Sequence, residues 1–150
     1  MLSNALNRIM ILLESDKFDE AKANIDILLN LDLHNEVRVM LSGLEVEDYI
    51  MKKDFITASE KVNALIDMDK DNPHAYFYKA QLLVEQNKIN DALNEINICL
   101  EKAENGDMPI PHPDFYLLKS IILKELDDDE YIYYETKAKQ LSSGLKGLFG

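Results

Sequence analysis

This sequence predicts an all-α chain built from repeated pairs of helices, on three observations. Short segments recur around Ala21, Ala58 and Ala92, which lie 37 and then 34 residues apart. In each, bulky apolar residues stand three before the alanine and four, seven and eight after it: Phe18, Ile25, Leu28 and Leu29; Phe55, Val62, Leu65 and Ile66; Ile89, Ile96, Cys99 and Leu100. Those offsets trace one face of an α-helix. Chain breakers are also few, with 5 Gly and 4 Pro in 150 residues, and no segment alternates polar and apolar residues as a strand does.

In chain order, helices are expected over residues 2–14, 18–31, 35–52, 55–69, 73–86, 89–103, 113–126 and 128–142. Residues 2–14 form the partner of the first alanine helix. Residues 35–52 carry Val37, Met40, Leu41, Leu44 and Tyr49, and partner the second. Residues 73–86 open with Pro73, which suits a first helical turn because its missing N–H has no partner to lose. They continue with Tyr76, Phe77, Ala80, Leu82, Leu83 and Val84. Residues 104–113 form a loop, since Asn105-Gly106 and prolines at 109, 111 and 113 cannot continue a helix. In the last pair Tyr131, Tyr134, Ala138 and Leu141 keep helical spacing, but a tyrosine takes the place of the close-contact alanine. Residues 1–142 thus make one repeat domain. Residues 143–150, with Leu145, Leu148 and Phe149, make a flexible or docking tail. The alanines mark where neighbouring backbones come closest, so Ala58→Leu should cost about 1–3 kcal/mol by overpacking, read from denaturation midpoints.

The run Asp69-Lys70-Asp71-Asn72-Pro73-His74-Ala75-Tyr76, followed by Ala80, Leu83, Ile89 and Ala92, resembles a tetratricopeptide repeat. Tyr76 matches that family's large aromatic and Ala80 the small residue of its Leu-Gly pair. Ala92 matches its first Ala, and Cys99 stands at its second small position. Gly43 matches the small residue one repeat earlier, which puts three inserted residues between it and Phe55. Arg8 departs from the expected apolar residue in the first repeat, and the fourth unit is degenerate. The resemblance covers residues 1–103 best. It implies a right-handed superhelical array of antiparallel pairs, an α-solenoid of about three to four repeats, whose first helices line a concave peptide groove.

The family's groove positions would be Met40, Leu44 and Glu47, then Phe77, Gln81 and Val84, then Leu117, Ile121 and Lys124. A register error of one position would make any of them core instead. Because these places hold mainly apolar residues or acids, the Lys–Asn grip that some relatives place on a chaperone carboxylate is not implied.

The balance of 16 basic against 28 acidic residues, net −12, repels phosphate backbones and anionic headgroups, so neither nucleic acid nor membrane is an expected partner. The acidity either favours basic partners or only maintains solubility. Cys99 is the sole cysteine, which fits a reducing compartment. The N-terminal residues lack the features of a secretory signal, and no apolar run approaches the ~18 residues of a membrane helix. A cytoplasmic location is therefore expected.

No phosphate loop, zinc motif or hydrolase elbow appears. No enzyme activity, cofactor or metal is expected. His34, His74 and His112 read as exposed turn residues at separate corners. Asp127-Asp128-Asp129-Glu130 lacks the alternation and glycine of a calcium loop and reads as the start of a helix, where carboxylates are favoured. The function expected is an adaptor, scaffold or chaperone-like module holding a protein or peptide segment. The alternative is a structural protein that oligomerises through edge helices or its tail.

Overall fold

The computed structural model describes residues 2–30, 35–106 and 112–149, with side chains except at 2–6, 35–37, 40 and 144–149. Among these are eight helices and no strand: α1 (Leu2–Glu14), α2 (Phe18–Leu29), α3 (Asn35–Met51), α4 (Phe55–Met68), α5 (Pro73–Glu85), α6 (Ile89–Asn105), α7 (Pro113–Glu125) and α8 (Tyr131–Phe149). Local chemistry sets several starts. The Asp54 carboxylate accepts from the Thr57 N–H at 3.2 Å and Asn72 Oδ1 from the His74 N–H at 3.0 Å. Pro73 and Pro113 occupy first turns, as their fixed φ favours. The segment 128–130, expected as helix, is a turn in which Asp128 Oδ1 accepts from the Glu130 N–H at 2.9 Å. Helix α8 then runs to Phe149, past the expected end at 142.

Consecutive helices pack on one another throughout, and α3 touches α5 as α5 touches α7. Among the described residues no helix touches one more than two places away in the chain, so the pairs follow one another in a row. Ala21, Ala58 and Ala92 are all fully buried, as the close approach of paired helices requires.

The turns inside the pairs repeat in backbone detail. Asp16, Lys53, Asn87 and Asp127 each have φ between 54° and 61°. Each donates its N–H to the carbonyl three residues back, and the next residue donates to the carbonyl five back, as in Asn87 to Val84 at 2.9 Å and Lys88 to Leu83 at 2.8 Å. This is a Schellman ending, built four times without the usual glycine. Left-handed backbone is strained for a side chain. Lys53 is exposed, so Lys53→Gly should raise stability by about 0.5–1 kcal/mol, measurable as a higher denaturant midpoint.

These turns fix the register and correct two sequence expectations. Counted back from the turn, Val46, Ala80 and Ser120 are equivalent, and Gly43 is equivalent to Phe77. The extra residues of the second unit therefore lie at the start of α3, which is 17 residues long against 13 for α5 and α7, and not between Gly43 and Phe55. In the first unit the fully buried residue is Ile9. Arg8 falls at the polar position shared by Glu45, Lys79 and Lys119, so it is no departure.

The core has two parts. Ile9, Leu12, Ala21, Ile25 and Leu28 enclose Leu41 and Leu44 of α3. Val39, Val46 and Ile50 of the same helix join the larger cluster that runs on through α7 and Ala138 of α8. Two buried acids on α3, Glu45 and Asp48, carry ion pairs to Lys61 at 3.4 Å and Lys52 at 3.0 Å, as buried charges must. The last pair substitutes rings for the alanine contact. Tyr116 stacks on Tyr134 with centroids 6.4 Å apart, while Lys119 sits 4.3 Å over Tyr134 and Lys137 4.7 Å over Tyr116.

Candidate functional site

Where the first helices of successive pairs lie side by side, the C-terminal parts of α3 and α5 and the middle of α7 leave a cleft of about 400 Å3. It is lined by Glu47, Ile50 and Met51 of α3, by Gln81, Val84 and Glu85 of α5, and by Leu118 and Ile121 of α7. Residues three and four apart share a helix face, which is why each helix contributes such a set.

Of the nine positions expected from the sequence, Glu47, Gln81, Val84 and Ile121 line this cleft. Leu117 is exposed but is not part of the lining. Lys124 lies one turn further on and reaches toward α8, 5.6 Å from the Tyr131 ring centre. Leu44 and Phe77 are corrections: both are buried, Leu44 against α1 and α2 and Phe77 between the Tyr78 and Phe115 rings at 5.5 and 5.3 Å. They lie toward the N-terminal side of the cleft residues, where the helices pack tightly. The Met40 side chain lies outside the described residues. Ile50, Met51, Glu85 and Leu118 were missed, although adding three or four to Glu47 and Gln81 would have found the first three.

The cleft is apolar but for a few polar groups, and these favour positive charge. Burial, with the nearby Asp114 carboxylate, pushes Glu47 up to about 7 against the opposing hydrogen bond from Gln81. Burial, then Glu47 and Asp114, push the Tyr78 phenol upward. Gln81 Oε1 is buried without a hydrogen-bond partner among the described residues. The last turns of α3 and α5 also bring the negative ends of two helix dipoles here.

A carboxylate raised in the folded state opposes folding once it ionises. The penalty is absent below 4.5, its ordinary value, and complete above about 7. Glu47→Gln should therefore leave stability unchanged at about pH 4 and raise it by about 2 kcal/mol at about pH 8, after allowance for partial exposure. Urea denaturation at the two pH values checks this, and an equal effect at both would refute the buried carboxyl.

At the opposite ends of α5 and α7 the expected separation of the histidines fails. His74 and His112 lie 6.4 Å apart between ring centres, and both rings pack on Phe115 at 5.1 and 5.9 Å. His112 Nδ1 caps α7 by accepting from the Asp114 N–H at 3.1 Å. Burial, and then His112, push His74 down to about 4. His34 lies outside the described residues. Cys99 is fully buried and its thiol is pushed up by burial, a packing residue rather than a nucleophile. Among the described residues no three His, Cys, Asp or Glu side chains converge as a metal site would require, and no helix is long and apolar enough to cross a membrane.

Fold and cleft together define an all-helical chain of consecutively packed pairs with a mainly apolar, acid-edged cleft across three of them. Comparison of the chain with family models, curated proteins and solved structures finds no match.

Proposed function

We propose that this protein is a protein-interaction module of the tetratricopeptide type, an adaptor or chaperone-like scaffold rather than an enzyme. In this reading the pairs form a right-handed superhelix, and α3, α5 and α7 line its concave side. The observation that carries it is a cleft shared by those three helices and lined by four residues of the groove set. The fourfold recurrence of the within-pair turn and the buried alanines support the array. The occupant proposed is an extended or helical protein segment with apolar anchors and basic neighbours, since the chain's charge of −12 disfavours phosphate backbones and anionic headgroups. A cytoplasmic location belongs to the same proposal.

The test is selection of displayed peptides on the whole chain, followed by binding measurements on the Met51→Glu and Ile121→Glu variants. Both residues are well exposed, so the fold should survive. Selected peptides should share basic and apolar residues and lose about tenfold or more in affinity, the effect of about 1.4 kcal/mol. Peptides that ignore both changes would remove the groove from the reading.

One observation favours a second reading, assembly through the edge helix: Ile132 and Tyr133 stand exposed on α8. Mass measured by light scattering decides it. Growth with concentration that is abolished by Ile132→Lys with Tyr133→Lys would favour self-assembly, and a constant monomer mass would exclude it.

A further inference from the structure

We propose that the cleft between α3, α5 and α7 is a recognition pocket for one amphipathic cation, the alkyl stem and charged head of a lysine or arginine side chain. The head would meet the Glu47 carboxylate and Gln81 Oε1, and the stem would lie along Ile50, Val84 and Ile121. The inference rests on the groove reading above and adds the chemistry of one anchor.

Four observations converge on a cation. Glu47 is the acid in the cleft wall, and Glu85 lines the same cleft. Gln81 Oε1 is an acceptor buried without a donor among the described residues, a costly arrangement that an incoming N–H would relieve. The last turns of α3 and α5 add their negative dipole ends. Among the described residues, four lysines on or beside α2 to α5 are engaged elsewhere. Lys61 of α4 pairs with Glu45 at 3.4 Å, Lys22 of α2 donates to the Tyr49 hydroxyl at 3.3 Å, Lys52 pairs with Asp48 and Lys79 with Glu95. Glu47 itself is faced from α5 by Gln81 and Tyr78 and from α7 by Asp114, with Glu85 on the same cleft. The apolar remainder suits a methylene stem, and the volume of about 400 Å3 accommodates one long side chain with room to spare.

A bound cation favours ionised Glu47, so binding should release a proton and strengthen as pH rises through about 7. Neutral ligands should show neither effect.

The experiment uses the whole chain with labelled methyl groups and three probes: n-butylammonium, n-butylguanidinium and the neutral 1-butanol. At about pH 8 the cations should shift the Ile50, Met51, Val84 and Ile121 methyl resonances and bind about tenfold or more tighter than butanol. Glu47→Gln should remove that preference while leaving butanol binding and the circular dichroism spectrum in place. Lowering the pH to about 5 should do the same in the parent protein. Equal binding of cation and alcohol, a preference that survives Glu47→Gln, or no shift with any probe would overturn the inference. Its failure is separable from that of the groove reading. Selected peptides that need Met51 and Ile121 but not Glu47 would sink the cation pocket alone. A cation pocket in a chain whose selected peptides ignore Met51 and Ile121 would sink the groove alone.

Discussion

Gly43→Ala is expected to lower stability by about 3 kcal/mol, large for a single methyl group on a helix that should gain from alanine. A Cβ at residue 43 would overlap the Cδ2–Cε2–Cζ edge of the Tyr78 ring, and that ring is itself buried. Helix α5 thus presses an aromatic side chain against the bare backbone of α3, in the place where equivalent units carry Phe77 and Leu117. Alanine must either push α3 and α5 apart or expel the ring, and the second course also uncovers Phe77, 5.5 Å from Tyr78 between ring centres. The displacement would reach the cleft, because Glu47 lies one turn along α3 from Gly43 and near the phenol. Urea denaturation of Gly43→Ala, Tyr78→Leu and the double variant checks this. The double variant should be more stable than the sum of the single effects allows, by about 1–2 kcal/mol. A loss below about 0.5 kcal/mol in Gly43→Ala would mean that the helices do not approach as described.

The same glycine explains part of what the sequence left hidden. As the smallest residue in α3 it invites alignment with Ala80, and that alignment moves the inserted residues to the wrong end of the helix. The true anchor is the turn after each first helix. Its left-handed residues are Asp16, Lys53, Asn87 and Asp127, four side chains with no common chemistry, where a glycine would have declared the position. The second helices were legible because alanine at the contact and bulky residues at fixed offsets follow directly from helix geometry. Pro73 and Pro113 made two starts visible for an equally local reason. The continuation of α8 past Ser142-Ser143-Gly144 was not visible, since each glycine disfavours helix by only about 1 kcal/mol and composition alone does not decide the outcome. In the cleft, Glu47, Gln81, Val84 and Ile121 were among the groove positions that the resemblance to tetratricopeptide repeats implied. Leu44 and Phe77 were not, because whether a helix residue faces a neighbour or a gap depends on how closely two helices approach. Between α3 and α5 that distance depends on Gly43 and Tyr78, which are 35 positions apart in the chain.

Phe115→Ala should be the most damaging truncation in the larger core, costing about 3–5 kcal/mol at neutral pH. The ring is fully buried and lies within 5.1–5.9 Å, centre to centre, of His74, Phe77 and His112, so it joins the start of α7 to α5. Its loss should also change the response to acid. His74 is held down at about 4 chiefly by burial, beneath a ring that touches it. A histidine lowered in the folded state contributes stability that is complete above its ordinary 6.5 and is lost as pH falls toward 4. Opening the cavity lets water reach His74 and returns its value toward 6.5, so the variant has less of this term to lose. The stability gap between parent and variant should therefore narrow by about 1 kcal/mol between about pH 7 and pH 5, partial exposure allowed for. Denaturation at both pH values measures the gap, and proton NMR of the His74 ring follows its titration directly. A gap that stays constant while the His74 titration remains near 4 would show that burial at this corner is maintained without Phe115, and that other contacts join α5 to α7.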